Sequence, residues 1–518
     1  MHKIAQKRKD IDVVLVYPKT GMDLGATIAP PHGLLAIAAP LVEKGYKVKI
    51  IDQRLDPQWE SELVSVLKCR PICAGISTMT GTQIAFAYQA AQLIRRHTDG
   101  NIPIVWGGAH PSSIPEQTLE DENVDIVCIG EGDIAFLEIV EALQAKKTLN
   151  DIAGIGFKNA NKITITPSRP LLDVETLLPI PWELIDIEPY IHPDFYLKGS
   201  SRSLDVGQTS RGCPFQCGFC SSASIRRRKW RPMSVEKSLE TILEPVRKFG
   251  LNGVWIRDDE FYISRKRTRE ICEGIIDSGL KFNWYSSGTR VDTFNKQSDE
   301  EIELLLKSGA LNLKFGAESG CNRILKLINK GITKEETINA NLRVKKYEIN
   351  PVFAFMIGFP TETFEEINQT LDLITKLKND NPESQIETIA PYTALPSTPM
   401  YPLALEMGLK PPEKLIDWRD WVIDDSNTKK NKRPWFSYKD RKTIANICYI
   451  SMLSNAVSNA IGGIKNSCLR FVLRIFYKPF AVYYRLRLRR KFFKFSLDLA
   501  IIRFLRKQLF YKGHFTIK

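Results

Sequence analysis

The 518-residue chain is 43% hydrophobic, 25% charged and 10% aromatic, a balance that fits a globular protein and excludes disordered, collagen-like and disulfide-scaffold chains. At roughly 150 residues per domain the length suggests about three units. The net charge of +14 is localised: residues 429–518 hold 22 Lys and Arg against Asp440 and Asp498, while residues 1–428 hold 51 basic and 57 acidic side chains, so charge alone does not point to nucleic acid.

Met1 to Asp10 is polar, and the first apolar run, Val13 to Tyr17, is too short for a signal core. That run reads as a strand ending in a Pro/Gly-rich loop through Gly33. A helix follows from Leu34 to Lys44, closed by Gly45. Tyr46 to Asp52, Ile72 to Ser77, Pro103 to Gly108 and Val124 to Gly130 are further strands, with a helix over about Gln83 to His97. Strands alternating with helices predict a parallel sheet covered on both faces, whose ligands sit outside the carboxyl ends of the strands. Those ends carry Ser77, Thr78, Thr80, Gly107, Gly108, His110, Gly130 and Glu131. No GxGxxG follows the first strand and no GxxxxGK[ST] occurs, so neither dinucleotide nor nucleoside-triphosphate binding is expected. A linker is expected over 141–206, with a hairpin from Ile155 to Ile165 and a Pro-rich stretch from Pro167 to Pro193.

Ten cysteines are too few for a disulfide framework and suit a reducing cytoplasm, but three cluster: Cys213-Pro-Phe-Gln-Cys217-Gly-Phe-Cys220. Three thiols spaced four then three along a glycine-bearing loop can wrap one metal centre. A closed zinc site would need a fourth ligand, commonly a second CxxC, and none lies nearby. A 4Fe–4S cluster with one iron free of protein ligands fits instead. Beyond the loop, strands at Gly253 to Arg257, Phe282 to Ser287, Leu311 to Gly316 and Val352 to Ile357 end in polar residues, with helices over about Ser298 to Ser308 and after Thr363. Such ends gather on one face of a barrel.

The loop resembles the CxxxCxxC motif of the radical S-adenosylmethionine (SAM) enzymes, including the aromatic Phe219 before the last cysteine. The resemblance implies that the open iron chelates SAM and that one electron cleaves it to a 5′-deoxyadenosyl radical. It further implies SAM contacts from Phe219, Asp258, Asp259, Ser286 and Glu318, the last in the run Gly316-Ala-Glu-Ser-Gly320. With Pro30-Pro-His-Gly33, Gly107-Gly-Ala-His-Pro111, Gly130-Glu-Gly-Asp133, Gly358-Phe-Pro-Thr-Glu362 and Pro396-Ser-Thr-Pro399, the chain is similar to the cobalamin-dependent class, over roughly residues 10–410. That implies an α/β fold: a Rossmann-like cobalamin-binding-type domain (10–140), a linker (141–206), a partial (βα)6 TIM-type barrel (207–425) and a basic helical region (426–518). It also implies cobalamin as a third cofactor, a flavodoxin- or ferredoxin-type electron donor, and methyl transfer to an unactivated carbon, with cyclisation or rearrangement as the alternative. The chain lacks DxHxxG, the run that gives cobalt a lower histidine in mutase-type domains; His32 and His110 lie outside that context, and a domain that binds no cobalamin stays open.

A tRNA methylthiotransferase is disfavoured, because its second cluster would have to come from Cys69, Cys73 and Cys128. So is a merely structural cluster, in which an open iron would serve nothing. Thr443 to Ile464 holds too many Asn and Ser for a membrane span. From Leu469 the tail alternates cations with Phe, Leu and Tyr, as in Tyr483-Tyr-Arg-Leu-Arg-Leu-Arg-Arg-Lys-Phe-Phe-Lys-Phe495 and Ile501 to Lys507. A basic amphipathic helix on the inner face of a membrane is the leading reading, favouring a lipid-linked over another small-molecule substrate; nucleic-acid contact and a helical cap on the barrel are the others.

Overall fold

A computed structural model describes residues 11–21, 23, 28–159, 162–193, 197, 199–421, 432–462, 467–494 and 497–501. The Met1 to Asp10 reading, and the end of the tail from residue 502, therefore lie outside the described residues, as do parts of the loop before Gly33.

The first domain runs β1 (Val13–Tyr17), α1 (His32–Glu43), β2 (Val48–Asp52), α2 (Trp59–Leu67), β3 (Cys73–Ser77), α3 (Thr82–Thr98), β4 (Ile104–Gly107), α4 (Ala109–Ser113), α5 (Pro115–Glu120), β5 (Ile126–Cys128) and α6 (Gly132–Gln144). These five strands are parallel in the order β2-β1-β3-β4-β5. That doubly wound order reverses between β1 and β3, which opens a crevice at the carboxyl edge. Leu15 stands opposite Ile50 on one side and Gly75 on the other. A Cβ on Gly75 would lie 2.6 Å from Leu15 Cδ2 and 3.1 Å from Phe136, so close helix-to-sheet packing requires glycine there. The expected hairpin forms as β6 (Ile155–Asn159) and β7 (Lys162–Ile165). It pairs antiparallel with β5 and makes the sheet seven-stranded, so the sheet continues past Gln144 into the segment read as a linker.

The second unit holds β8 (Ser203–Gly207), β9 (Ser210–Arg211), α7 (Ser222–Ile225), β10 (Arg231–Pro232), α8 (Val235–Phe249), β11 (Gly253–Ile256), α9 (Arg265–Asp277), β12 (Asn283–Ser286), α10 (Val291–Asn295), α11 (Asp299–Lys307), β13 (Asn312–Glu318), α12 (Asn322–Leu327), α13 (Lys334–Lys346), β14 (Asn350–Ile357), α14 (Phe364–Asp380), β15 (Gln385–Pro391) and α15 (Tyr401–Glu406). Strands β8, β11 and β12 form one parallel set and β13, β14 and β15 another. Single bridges Trp284 to Ala310 and Thr289 to Phe315 join them into six strands of an open barrel. Ser298, Thr333 and Thr363 each close a capping box with the glutamate three residues on, which fixes where α11, α13 and α14 begin.

The barrel is followed by α16 (Tyr438–Gly462) and α17 (Ser467–Arg489). Ser451 on α16 accepts from the Ile389 amide of β15 at 3.2 Å, and Lys491 pairs with Asp372 of α14 at 2.7 Å. The described part of the tail thus caps the barrel's open edge. No helix among the described residues is long and apolar enough to cross a membrane.

Candidate functional site

The cysteine loop hangs from the antiparallel pair β9–β10 and is gripped from three sides. Gly212 sits at φ +84°, where a Cβ would come within 2.2 Å of the Lys229 carbonyl. Gly218 donates its amide to Ile328 O at 2.7 Å and accepts from the Met400 amide at 2.9 Å. Asp258, at the end of β11, is buried and accepts from the amides and hydroxyls of Thr209 (2.6 and 2.8 Å) and Ser210 (3.1 and 2.7 Å). Asp258 therefore clamps the root of the loop, its carboxylate already holding Thr209 and Ser210. Asp259 is exposed and accepts from Ser222 at 2.8 Å.

The buried charges nearest the cysteines form an alternating set. Arg290 stacks 3.7 Å over Phe215, points Nη1 at Cys217 Sγ (3.7 Å) and donates to Lys330 O at 2.6 Å. Lys330 Nζ pairs with Glu318 Oε1 at 2.8 Å, both side chains being 10% exposed or less. Glu318 lies at φ +61° beside a bulge in the β13–β14 register, an unusual conformation for a non-glycine residue. A Cβ on Gly316 would strike Glu318 Oε1 at 2.6 Å and Lys330 Nζ at 2.7 Å. Glu260, 1% exposed, accepts from Thr293 at 3.1 Å; burial pushes its carboxyl up to about 8, despite that hydrogen bond and the charges of Arg290 and Lys330. Sequence reasoning passed over Glu260, Arg290 and Lys330. The three successive acids after β11 were the available signal, since Asp258 and Glu260 turn inward and Asp259 outward. Ser286 is buried, with its hydroxyl toward the Gly288 amide (3.4 Å). Phe219 lies between Phe359 and Lys330 Nζ, 6.4 and 5.9 Å from them.

Among the described residues no three His, Cys, Asp or Glu side chains converge on a single-ion site. Three thiols carried on one loop are the donor chemistry that a cubane with one open iron takes. Burial first, then Glu260, Asp259 and Cys217, pushes the Cys213 thiol up to about 12, and the neighbouring Arg290 and Lys330 supply the positive charge that thiolates would need.

A second space opens between the domains. A cavity of about 1280 Å³ is walled by Ser77, Gly107, Gly108, Gly130 and Glu131 from the strand ends and by Gly207, Gln208, Arg211 and Arg257 from the barrel. It exceeds a drug-sized pocket and suits a large cofactor. A Cβ on Gly130 would meet nothing within 4 Å and one on Gly107 only Cys128 Cβ at 3.8 Å, so backbone faces open space there. Three of the expected cavity residues do not line it. Thr78 is buried with its hydroxyl on Gly107 O (3.3 Å), and Thr80 bonds His110 Nδ1 at 3.0 Å. His110 is fully buried against the edge of Trp418, and desolvation lowers it to about 3. Glu131 reaches the wall but is engaged by Arg231 (2.5 and 2.9 Å) and Arg226; burial opposes its ionisation, yet those cations and Arg211 hold it at about 2. His32 also lines the cavity, its Nε2 on Asp205 at 3.0 Å. Cys73 and Cys128 are buried in the sheet, their thiols pushed up to about 12 by desolvation.

Two family models match: the radical SAM superfamily over residues 208–374 and the B12 binding domain over 22–140. The chain is 32% identical to the uncharacterized methyltransferase PH0819 of Pyrococcus horikoshii, over 91% of this chain and all of that protein. It is 28% identical to the cytidylyl-2-hydroxyethylphosphonate methyltransferase of Streptomyces wedmorensis, over 66% of this chain and 72% of that one. Among solved structures it shares its fold, at 19% identity and a TM-score of 0.70, with the cobalamin-dependent SAM radical enzyme OxsB with aqua-cobalamin and SAM bound; the match covers 98% of this chain and 79% of that one.

Proposed function

The chain belongs to the radical SAM superfamily, in the class that carries a B12-binding domain ahead of the barrel, and from that premise we propose that it is a methyltransferase using a 4Fe–4S cluster, SAM and cobalamin to alkylate an unactivated carbon. With those cofactors bound, the chemistry supplied is one-electron cleavage of SAM and carriage of a methyl group. The reading is carried by one observation: Gly207, Gln208 and Arg211 line the interdomain cavity, and Arg211 stands two residues before the first cluster cysteine, so the two cofactor spaces share a wall.

Cys213, Cys217 and Cys220 would ligate three irons, leaving the fourth for SAM. The four buried ionisable groups beside them suit a zwitterionic amino-acid moiety. Glu260 would meet its ammonium, Arg290 and Lys330 would offset its carboxylate, and Glu318 would accept from ribose hydroxyls. Phe219 and Phe359 bound this space with apolar surface, which excludes water. In the cavity, the glycines at the ends of β4 and β5 would let a corrin ring approach the backbone, and Ser77 would offer a hydroxyl.

Anaerobic reconstitution with iron, sulfide and hydroxocobalamin, followed by SAM and a low-potential reductant, tests the proposal. Methyl transfer is expected to release S-adenosylhomocysteine together with 5′-deoxyadenosine. 5′-Deoxyadenosine alone, from protein shown to hold cobalamin, would favour cyclisation or rearrangement, and neither product would overturn the reading.

A further inference from the structure

Helix α17 buries only part of its circumference, and Phe480 and Tyr483, off the stripe of Phe471, Ile475, Val482 and Leu486, are themselves 58 and 42% exposed. Ala481, Tyr484 and Arg487 are buried, at a spacing of three, on the side that packs against the rest of the tail. Phe471, Ile475, Val482 and Leu486 are 67, 53, 51 and 47% exposed. Their spacing of four, seven and four places them in one stripe on a 3.6-residue helix. Lys478, Arg485 and Arg489 are exposed within or beside that stripe, and Phe492, Leu497 and Ile501 extend the exposed apolar surface past the helix end. A soluble domain rarely leaves so continuous an apolar strip bare.

Charge identifies the occupant. The last 90 residues carry a balance of +20 on a body that is mildly acidic, so two copies meeting face to face along α17 would bring like charges together. A nucleic acid would answer the cations but leave Ile475, Val482 and Leu486, which have no ring to stack on a base, in water. An anionic bilayer answers both features: headgroups take the cations, whose aliphatic stems snorkel, and the acyl boundary takes the apolar stripe.

We propose that the outer face of α17 seats the enzyme on an anionic lipid surface. This goes beyond the cofactor reading and does not depend on it. The apolar stripe supplies the insertion and the flanking cations the selectivity for negative headgroups.

The test is sedimentation of the full-length protein with vesicles of pure phosphatidylcholine or of phosphatidylcholine with phosphatidylglycerol, near physiological ionic strength. Binding to the anionic vesicles alone is expected. The double variant I475S/L486S should weaken it about tenfold or more, and K478E/R489E should do the same while keeping the stripe. Far-UV circular dichroism on both variants, which remove opposite halves of the feature, separates lost docking from lost folding. No binding to anionic vesicles, equal binding to both vesicle types, or anionic binding unchanged in both variants would each overturn the proposal. So would a concentration-dependent dimer or retained single-stranded RNA that takes the place of vesicle binding and is lost in the same variants. None of these assays needs cluster, SAM or cobalamin, so failure here leaves the enzymatic reading standing, and the reverse also holds.

Discussion

Arg211 lays both terminal nitrogens on the carboxylate of Asp133, at 2.9 and 2.8 Å, and so fastens the root of the cysteine loop to the first turn of α6 in the other domain. The pair is buried and bidentate, the geometry in which an arginine fork is most selective. Glu131 with Arg226 and Arg231 makes a second ionic crossing around the same cavity, and His32 reaches Asp205 across it, where Arg257 of the barrel also pairs. The cavity's shape therefore depends on charges that bridge domains.

Breaking the first crossing strands a buried charge. Asp133→Asn or Arg211→Ala is expected to cost about 3–5 kcal/mol, read as a lower denaturation midpoint, whereas replacing both with apolar residues recovers most of the loss. Cobalamin retention on a desalting column should fall in the single variants. An unchanged midpoint in both would mean that the domains are held together by other contacts.

Acid should loosen the same interface. Cations around Glu131 and Asp205 hold both carboxyls at about 2, below the ordinary range near 4, against the burial that opposes their ionisation. A depressed carboxylate adds stability that is complete above the unfolded-state value and is lost as pH falls towards the folded one. The expected window is thus from about pH 4.5 down to 2. Limited proteolysis across that window should cut between the domains progressively, and Glu131→Gln should flatten the dependence.

Much of this was legible beforehand, for reasons that differ by residue. The strands of both domains are apolar runs bounded by glycine or acids, and Thr363 and Ser298 announce their helices by capping boxes. Helix α2 was missed although Trp59, Leu63, Val66 and Leu67 carry a helical period, because the segment is short and charged between them. Cys213, Cys217 and Cys220 were legible because their chemistry is set by local spacing. The pairing of Lys330 with Glu318, or of Arg290 with Cys217, joins residues 12 and 73 positions apart, which no local pattern reports. The grip of Asp258 on Thr209 and Ser210, 49 and 48 positions away, is equally invisible to any local pattern.

The glycine before the first cluster cysteine tolerates no side chain. At φ +84°, with the Lys229 carbonyl 2.2 Å from where a Cβ would stand, Gly212→Ala must move the backbone of the loop or of its neighbour. Iron content after anaerobic reconstitution is expected to drop by more than half, with a destabilisation of about 1–3 kcal/mol. Retention of full iron would show that the loop's path is not what positions the thiols.

Glu260 should show function and stability pulling apart. Its carboxyl is 1% exposed, and burial raises it to about 8, so in protein without cofactors the folded chain holds a proton that the unfolded chain releases at lower pH. Stability from this group is therefore present below the ordinary carboxylate range and is lost as pH rises through the window up to about 8. Glu260→Gln keeps the shape and removes the ionisable carboxyl. Without cofactors the variant is expected to denature at an equal or higher temperature at pH 8 and to lose that slope, whereas its affinity for SAM, measured calorimetrically on cluster-loaded protein, should fall tenfold or more as a charge-assisted partner for the ammonium disappears. A variant that is destabilised at pH 8 yet binds SAM normally would make Glu260 a residue of the fold alone and would leave the ammonium to another acid.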